Sequence, residues 1–310
     1  MTDVVISEFM DEAIAMEVLK AFDVLYDAAL VDDRAALLAS LADARAVIVR
    51  NRTQVDAEML DHAPRLEAVG RLGVGLDNID LDLCKARGVT VYPATGANDL
   101  AVAEYAISAA VMLLRGVWQA GAQVVAGEWP RSSSMGREAS GKRFGLIGFG
   151  SIAREVASRA KALGMRVCAY DPYLPNDNPA WSGTDPISLQ DIAETCDVVS
   201  VHVPLTNETR HLIDADFIGG MKKGAILINT ARGGVVDELA LVTALQSGKL
   251  GGAALDVFES EPVDATGGKT FESAPNLLLT PHIAGISEES NLRVSRVTAE
   301  NVARHLSGQV

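Results

Sequence analysis

Short apolar runs alternate with amphipathic stretches along most of the chain, as is typical of α/β proteins. In the first hundred residues or so, five apolar runs predict strands, with helices between them. These runs are Val4–Ser7, Asp23–Tyr26, Ala46–Arg50, Glu67–Gly70 and Val89–Tyr92. We therefore expect the N-terminal segment to form an α/β unit that is complete in itself.

A second alternating region predicts a further set of strands. They are Phe144–Gly148, Arg166–Tyr170, Val198–His202, Ala225–Asn229, Gly252–Asp256 and Leu277–Thr280. Before this region, Asp99–Arg115 is almost uniformly apolar, which predicts a buried helix that crosses between domains. The amphipathic stretch Glu288–Leu306 predicts a last helix that returns to the first domain. Asn176–Pro186, which contains Pro, Asn, Asp and Gly, is expected to be a surface loop.

A glycine-rich turn, Gly148-Phe-Gly-Ser-Ile-Ala153, joins a predicted strand to a predicted helix over Ala153–Leu163. Such turns also occur where nothing binds, but here the following strand ends in an acid, Asp171. Gly148 permits the tight turn, and Gly150 lets a pyrophosphate approach the backbone N–H groups of the helix N-terminus. The carboxylate of Asp171 can accept hydrogen bonds from ribose hydroxyls and repels an extra phosphate. The turn thus predicts an NAD site.

Together these elements predict an α/β fold with two doubly wound parallel-sheet domains. The NAD-binding Rossmann domain, residues 98–284, is inserted into a flavodoxin-like substrate domain. The first segment of the substrate domain is residues 1–97, and the C-terminal helix in residues 285–310 returns to it.

Composition narrows the class of protein without changing this picture. Hydrophobic residues make up 48% of the 310 residues, charged residues make up 22%, and no apolar run is long enough to span a bilayer. The N-terminus lacks a secretory signal pattern, so we expect a cytoplasmic protein. A net charge of −14, spread along the chain, argues against nucleic-acid and membrane partners. The widely spaced Cys84, Cys168 and Cys196 suggest neither disulfides nor a metal site.

Three residues with candidate catalytic chemistry follow the ends of predicted strands: Arg232, Glu261 and His282. In doubly wound sheets, ligands bind outside the carboxyl ends of the strands. Arg presents a planar fork that fits a carboxylate, and His can take up a hydroxyl proton. A carboxylate next to the imidazole orients it and favours its protonated form. Each residue alone could be a solvated surface charge, but the three together predict hydride transfer from a 2-hydroxy acid.

With these residues the chain resembles the D-isomer-specific 2-hydroxyacid dehydrogenases over nearly its whole length. The matching segments are Gly73–Asp80, Asn98 with Val102–Glu104, the glycine turn, Val201–Thr206, Asn229–Gly234, Ala254–Glu259 with Glu261-Pro262, and Thr280–Gly285. The resemblance implies a cleft enzyme in which Arg232 binds the substrate carboxylate, His282 is the acid/base and Glu261 is its partner.

The same resemblance implies roles for further residues. Asp256 would bind the nicotinamide carboxamide, and Val74 and Gly75 would meet the substrate or nicotinamide through backbone groups. Other residues would line the path of the cofactor, namely Ser151, Ile152, Thr230 and Ala231. A homodimer is also implied, with Asp99–Arg115 and the arm through Trp118 and Trp129 as the contact. A core within one domain is the alternative use of that apolar helix.

Arg50 and Arg52 flank Asn51 at the end of a predicted strand. Alternation along an extended segment would point both guanidinium groups the same way, as a grip for a second anion on the substrate. The segment resembles the Arg-x-Arg-Thr of phosphoglycerate dehydrogenases, although two solvated arginines remain the alternative. Relatives of that kind often carry a Lys after Gly116-Val117-Trp118, where this chain has Gln119-Ala120.

We therefore expect a D-configured C3 2-hydroxy acid with a terminal anion, either 3-sulfolactate or 3-phosphoglycerate. A glyoxylate or hydroxypyruvate reductase is the alternative among enzymes, although many such relatives prefer NADP, which Asp171 disfavours. An NADH-responsive binding module that resembles the corepressors of this family is the alternative outside enzymes. It is disfavoured because long disordered tails are absent from the sequence.

Overall fold

The computed structural model describes residues 2–116, 118, 120–175 and 177–309. Val117 and Gln119, which belong to the comparison with phosphoglycerate dehydrogenases, lie outside the described residues. The chain forms two compact units: unit 1 is Met1–Asn98 with Ile286–Val310, and unit 2 is Asp99–Gly285. These limits assign Asn98 to unit 1 and Gly285 to unit 2, one residue away from the predicted limits.

Within the described part of unit 1, five parallel strands form one sheet in the order β2-β1-β3-β4-β5. The strands are β1 (Val4–Ile6), β2 (Val24–Tyr26), β3 (Ala46–Val49), β4 (Ala68–Arg71) and β5 (Thr90–Pro93). The helices are α1 (Glu12–Val18), α2 (Arg34–Ser40), α3 (Ala57–His62), α4 (Leu81–Ala86) and α12 (Glu288–Leu306), with a 3-10 helix at Ala28–Asp32. Each face of the sheet buries its own apolar cluster.

The helix α12 packs against the sheet of unit 1 and against α1. Its buried residues recur at helical spacing, as at Val294, Ala299 and Val302, so one face of the helix covers the sheet. Ser287 caps its N-terminus through the N–H of Ser290. In the structure this last helix belongs to unit 1 together with the N-terminal segment.

Within the described part of unit 2, seven parallel strands follow the order β12-β11-β10-β9-β6-β7-β8. They are β6 (Arg143–Ile147), β7 (Arg166–Tyr170), β8 (Asp185–Pro186), β9 (Val198–Val201), β10 (Ala225–Asn229), β11 (Leu250–Leu255) and β12 (Leu277–Leu279). The helices are α5 (Asp99–Arg115), α6 (Gly121–Val125), α7 (Ser151–Ala162), α8 (Leu189–Thr195), α9 (Ala215–Gly220), α10 (Glu238–Gln246) and α11 (Ala265–Gly268). Apolar clusters cover both faces of this sheet.

The predicted fold class, two α/β domains with parallel sheets, is confirmed. Two details differ from the sequence-based expectation. Helix α5 lies wholly in unit 2, where its alanine-rich face packs against α7, so it does not cross between the units. Asn176, the first residue of the segment predicted as a surface loop, lies outside the described residues, and residues 177–186 contain β8 and a 3-10 helix at Pro179–Trp181. Trp181 is buried and stacks on Phe149, because an indole gains more from burial than the loop composition suggests.

Among the described residues, the structure contains no helix of sufficient length and apolar character to cross a membrane.

Candidate active site

The three candidate catalytic residues follow three neighbouring strands of unit 2. Arg232 follows β10, Glu261 follows β11 and His282 follows β12, and these strands are adjacent in the sheet. Because parallel strands end at the same edge of a sheet, the topology gathers their side chains at one place. The structure brings Glu261 and His282 into direct contact, and the charge of Arg232 acts on Glu261.

His282 and Glu261 form a close pair in which Nδ1 of His282 lies 2.7 Å from Oε2 of Glu261. Burial alone would raise the pKa of Glu261, but the hydrogen bonds from His282 and the N–H of Phe258 outweigh it. The positive charges of His282 and Arg232 act in the same direction, so the pKa of Glu261 is lowered. An ionised carboxylate can only accept, so Nδ1 carries the proton. Nε2 of His282 is then the nitrogen that can exchange a proton with a ligand.

The turn that carries Glu261 is held by backbone hydrogen bonds to acidic side chains. The N–H of Phe258 donates to Oε1 of Glu261 over 2.9 Å, and the N–H of Glu259 donates to Oε1 of Glu238 over 2.7 Å. The pKa of Glu238 is raised, chiefly by burial and also by the nearby charges of Glu259, Asp237 and Glu261. Glu238 could not be identified from the sequence, since its contact with this turn arises only when α10 and β11 pack side by side.

Arg232 lies on a turn that Asn229 organises. The buried side chain of Asn229 donates through Nδ2 to the carbonyl of Arg232 and accepts through Oδ1 from the N–H of Ala231. At the next position, a methyl group on Gly233 would overlap the carbonyl of Phe258. Only glycine permits this approach, which brings the turn of Arg232 against the turn of Glu261.

The loop that carries His282 is anchored by Asp256, which is 1% exposed. Its Oδ1 accepts from the hydroxyl of Thr280 and from the N–H of Ile283, and its Oδ2 accepts from the N–H of Ala284. His282 itself has a φ of 56°. The role of Asp256 towards the nicotinamide carboxamide stays a prediction, while the structure places its carboxylate on the loop of the candidate acid/base.

The glycine turn fits the phosphates of NAD. Gly148 has a φ of 86°, and a methyl group there would overlap the carbonyl of His202. Beyond it, α7 begins without a side-chain cap at Gly150, where an added methyl would meet only open space. The N–H groups of the first turn, which includes Ser151 and Ile152, are therefore available to an anion.

Two further observations near the turn agree with a bound dinucleotide. Asp171 follows β7, and its Oδ2 accepts from the N–H of Phe149 over 2.9 Å, which holds the carboxylate beside the glycine turn. Each carboxylate oxygen can accept a second hydrogen bond, as a ribose hydroxyl requires. Thr230, next to Ala231 at the end of β10, has a buried hydroxyl with no hydrogen-bond partner in the part of the chain that the structure describes. A ligand would give this orphaned hydroxyl a partner.

The candidate residues for the second anion lie in unit 1, and the structure corrects one step of the prediction. Strand β3 ends at Val49 and residues 51–53 bend, so the alternation expected of Arg50 and Arg52 does not continue. The cause is Glu8, a buried acid that accepts from the N–H groups of Arg50, Arg52 and Thr53 and curls this segment around itself. No pattern in the sequence indicates this contact, because Glu8 follows a different strand.

The two guanidinium groups have different partners. Arg50 donates to the carbonyl of Phe9 and to Oδ1 of Asn291, whereas Arg52 forms an exposed ion pair with Asp32. Burial lowers the pKa of Arg50, although the charge of Glu8 opposes this shift. Val74 and Gly75, also in unit 1, follow β4 in a loop where Val74 is 38% exposed. The roles of these four residues towards a substrate stay predictions.

The family model "D-isomer specific 2-hydroxyacid dehydrogenase, NAD binding domain" matches residues 107–284 of the chain. Among curated proteins, the chain is 52% identical to an (S)-sulfolactate dehydrogenase of Chromohalobacter salexigens, over 99% of each chain. It is 40% identical to a D-3-phosphoglycerate dehydrogenase of Archaeoglobus fulgidus, over 89% of this chain but only 52% of that protein. The chain thus spans about half the length of the phosphoglycerate dehydrogenases that it matches.

Among solved structures, the TT0316 protein of Thermus thermophilus superposes with a TM-score of 0.89 at 33% sequence identity. The match covers 99% of this chain and 97% of that chain.

Proposed function

This chain belongs to the D-isomer-specific 2-hydroxyacid dehydrogenase family, and from that premise we propose a site and a substrate for its NAD-dependent reaction. The observation that carries the proposal is the His282–Glu261 pair at the edge of the sheet, with Arg232 on the neighbouring strand end. In this proposal Arg232 binds the substrate carboxylate, His282 exchanges the proton of the 2-hydroxyl group, and Glu261 fixes the imidazole.

The tautomer of His282 determines which of its nitrogens exchanges the substrate proton. Since Nδ1–H of His282 donates to Glu261, Nε2 takes the hydroxyl proton as the alcohol becomes a ketone, and the imidazolium that forms is stabilised by the carboxylate. In the opposite direction Nε2 returns this proton to the carbonyl oxygen. Bound NAD would supply the acceptor for the hydride that leaves the substrate's C2 carbon. The guanidinium of Arg232 holds the substrate carboxylate by charge-assisted hydrogen bonds and so aligns C2 for the transfer.

For the cofactor we propose that the first-turn N–H groups of α7, with Gly148 and Gly150, hold the pyrophosphate. Asp171 accepts from the adenosine ribose, and Thr230 and Ala231 line the path towards the reacting end together with Ser151 and Ile152. Asp256 would accept a hydrogen bond from the nicotinamide carboxamide through Oδ2, which has one other hydrogen bond, from the N–H of Ala284. The orphaned hydroxyl of Thr230 and the uncapped start of α7 support this placement.

For the substrate we propose a C3 2-hydroxy acid with a terminal anion that Arg50 and Arg52 recognise. Between the two candidates, 3-sulfolactate is favoured over 3-phosphoglycerate. The pairing of Arg52 with Asp32 and the position of Glu8 beside Arg50 reduce the positive charge of this segment. A sulfonate carries one negative charge and a phosphate ester nearly two at neutral pH. The high identity to an (S)-sulfolactate dehydrogenase along the whole chain supports the same choice.

The test is the initial rate of NAD reduction with (S)-3-sulfolactate, D-3-phosphoglycerate, D-glycerate and D-lactate, with NADP as the cofactor control. We expect kcat/KM to be highest for (S)-3-sulfolactate and to fall about tenfold or more in Arg52→Ala and Arg50→Ala. Arg65→Ala, which removes one positive charge from an exposed position of unit 1, is the control for net charge. Activity on D-glycerate or D-lactate alone would agree with a dehydrogenase but would refute the proposal that the substrate carries a terminal anion.

We propose in addition that the chain forms a homodimer through α5 and the segment that follows it. Large apolar side chains are exposed there: Val125 is 90% exposed, Met135 84% and Trp129 79%. Large apolar side chains exposed close together in the sequence are typical of an interface. Sedimentation velocity is expected to give twice the monomer mass, and Trp129→Asp with Val125→Asp to give the monomer. A wild-type monomer at micromolar concentration would refute the dimer.

A further inference from the structure

The backbone of His282 has an uncommon conformation that its surroundings must maintain. Its φ of 56° lies in the left-handed region, which residues with a side chain rarely adopt. His282 is also exposed, so packing around the imidazole does not explain how the residue is held. Strained residues of this kind persist only when neighbouring groups over-determine the backbone. Here the backbone is held at three positions, namely Thr280, Ile283 and Ala284.

Asp256 connects these three positions through its two carboxylate oxygens. Oδ1 accepts from Thr280 Oγ1 over 2.6 Å and from the N–H of Ile283 over 2.8 Å. Oδ2 accepts from the N–H of Ala284, also over 2.8 Å. The carboxylate therefore ties the residue before Pro281 to both residues after His282, and the backbone between them has to turn. The N–H of His282 closes the same turn by donating to the carbonyl of Thr280 over 3.0 Å.

Tyr105 extends this arrangement from helix α5. Its hydroxyl lies 2.5 Å from Thr280 Oγ1. Since Thr280 uses its only hydrogen towards the acceptor Asp256, the hydroxyl of Tyr105 must be the donor to Thr280. Burial raises the pKa of Tyr105, and although the hydrogen bond with Thr280 opposes this, the charge of Asp256 adds to it. The phenol consequently stays protonated and able to donate throughout the neutral pH range.

We propose that Thr280 and Tyr105 are positioning residues for the acid/base: the chain Tyr105–Thr280–Asp256 holds His282 in its left-handed conformation and so keeps Nε2 aimed at the substrate hydroxyl. This inference rests on the proposed function, since it presumes that His282 exchanges the proton. The hydrogen bonds of these two residues go to each other and to Asp256, so both act through the backbone of residues 280–284. Asp256 has this structural role in addition to any contact with the cofactor.

Two alternatives differ from this proposal in what they predict. If the hydrogen bonds of Tyr105, Thr280 and Asp256 served to position the cofactor, loss of the Thr280 hydroxyl would weaken NAD binding. If it only stabilised the fold, every variant would lose thermal stability and activity together, and restoring the stability with bound NAD would restore kcat. A positioning role instead lowers kcat at saturating cofactor and substrate, with the dissociation constant of NAD unchanged.

The experiment compares Thr280→Val, Thr280→Ser and Tyr105→Phe in the full chain. The readouts are kcat and KM for the best 2-hydroxy acid, the Kd of NAD from tryptophan fluorescence, and Tm. We expect Thr280→Val to lower kcat about 30-fold and Tyr105→Phe about fivefold, with the Kd of NAD within about twofold of wild type. Thr280→Ser keeps the hydroxyl and is expected to recover kcat to within about threefold.

Thr243→Val and Tyr173→Phe are the matched controls. Each removes the same hydroxyl from an exposed position in unit 2 and is expected to leave kcat and Tm unchanged. His282→Gln is measured alongside. If His282→Gln abolishes turnover but Thr280→Val does not slow it, the positioning role of Thr280 and Tyr105 is refuted and the proposed function stands. If Thr280→Ser is as slow as Thr280→Val, the hydroxyl does not act as proposed. If His282→Gln leaves turnover intact, the proposed function itself fails.

Discussion

The described part of unit 2 contains two histidine–glutamate pairs, and a comparison of them shows what makes such a pair a candidate for catalysis. His282 pairs with Glu261 over 2.7 Å, and His211 pairs with Glu259 over 3.1 Å. Both histidines have a left-handed backbone, with φ values of 56° and 50°. The imidazoles are 43% and 41% exposed, so burial does not separate them. Composition and exposure alone would rank the two pairs equally.

The two pairs differ in which imidazole nitrogen contacts the carboxylate. Glu261 engages Nδ1 of His282, which leaves the distal Nε2 for a ligand, whereas Glu259 engages Nε2 of His211. Glu261 also accepts from the N–H of Phe258 and feels the charge of Arg232, and these contacts lower its pKa in spite of burial. A His–Glu pair is thus suited to acid/base work when the carboxylate is kept ionised and the outward nitrogen is left accessible.

The largest expected effect separates the two histidines directly. His282→Gln is expected to lower kcat about 1,000-fold, because it removes the group that exchanges the substrate proton. His211→Gln, the matched change in the other pair, is expected to leave kcat within about twofold of wild type. Steady-state rates at saturating NAD measure both. Comparable losses in the two variants would show that the comparison between the pairs is mistaken.

The next effect concerns the arginine that accompanies only one pair. Arg232→Ala is expected to lower kcat/KM about 100-fold, chiefly through KM, because a charge-assisted grip on the substrate carboxylate is lost. Arg210→Ala removes an exposed guanidinium from the neighbourhood of His211 and is expected to change kcat/KM by no more than about twofold. If Arg232→Ala left KM unaltered, the carboxylate would be bound elsewhere.

A smaller effect tests the ionisation of Glu261. A glutamate whose pKa is lowered below 4.5 is ionised at every pH above that value, and its contribution is lost only as the pH falls through the lowered pKa. Glu261→Gln is therefore expected to lower kcat about tenfold over the whole range from about pH 5 to 9. Glu259→Gln serves as the paired control. A Glu261→Gln defect that disappeared near pH 6 would mean that wild-type Glu261 is already protonated there.

The last prediction concerns stability and a third histidine of unit 2. The pKa of His202, next to the glycine turn, is lowered to about 4 by burial, and its Nε2 lies 2.9 Å from the hydroxyl of Ser200. Because the folded pKa lies below the unfolded value of about 6.5, unfolding takes up a proton between these two values. Stability is then full above about pH 6.5 and falls by at most about 3 kcal/mol towards pH 4.

Urea unfolding at several pH values measures the slope of the free energy of unfolding against pH. His202→Asn is expected to flatten it, whereas the exposed His62→Gln is expected to leave it as in wild type. An unchanged slope in His202→Asn would assign the acid sensitivity to other groups.

The sequence predicted those parts of the molecule that depend on local pattern. Strands β7 and β10 have the predicted bounds, because apolar runs in a parallel sheet are buried on both faces and stand out from their surroundings. The approach of Glu261 to His282 was also predictable, since both follow the ends of neighbouring strands in a doubly wound sheet. In each case the information lies within one element or in the order of elements.

Contacts set by packing between distant segments were not predictable in the same way. Glu8 curls the segment of Arg50 and Arg52, which an alternation rule treats as extended. Tyr105 lies on a helix whose apolar pattern indicates only burial, yet its hydroxyl contacts Thr280. Such hydrogen bonds depend on how helices and strand ends are placed against one another, and single-residue propensities do not contain that information.

The proposed role of His282 is tested by kcat/KM for NAD reduction with (S)-3-sulfolactate, measured for wild type, His282→Gln and His211→Gln under identical conditions. We expect efficient turnover by wild type and by His211→Gln, and a loss of about 1,000-fold in His282→Gln. No turnover of any 2-hydroxy acid by wild type, or full turnover by His282→Gln, would contradict this role.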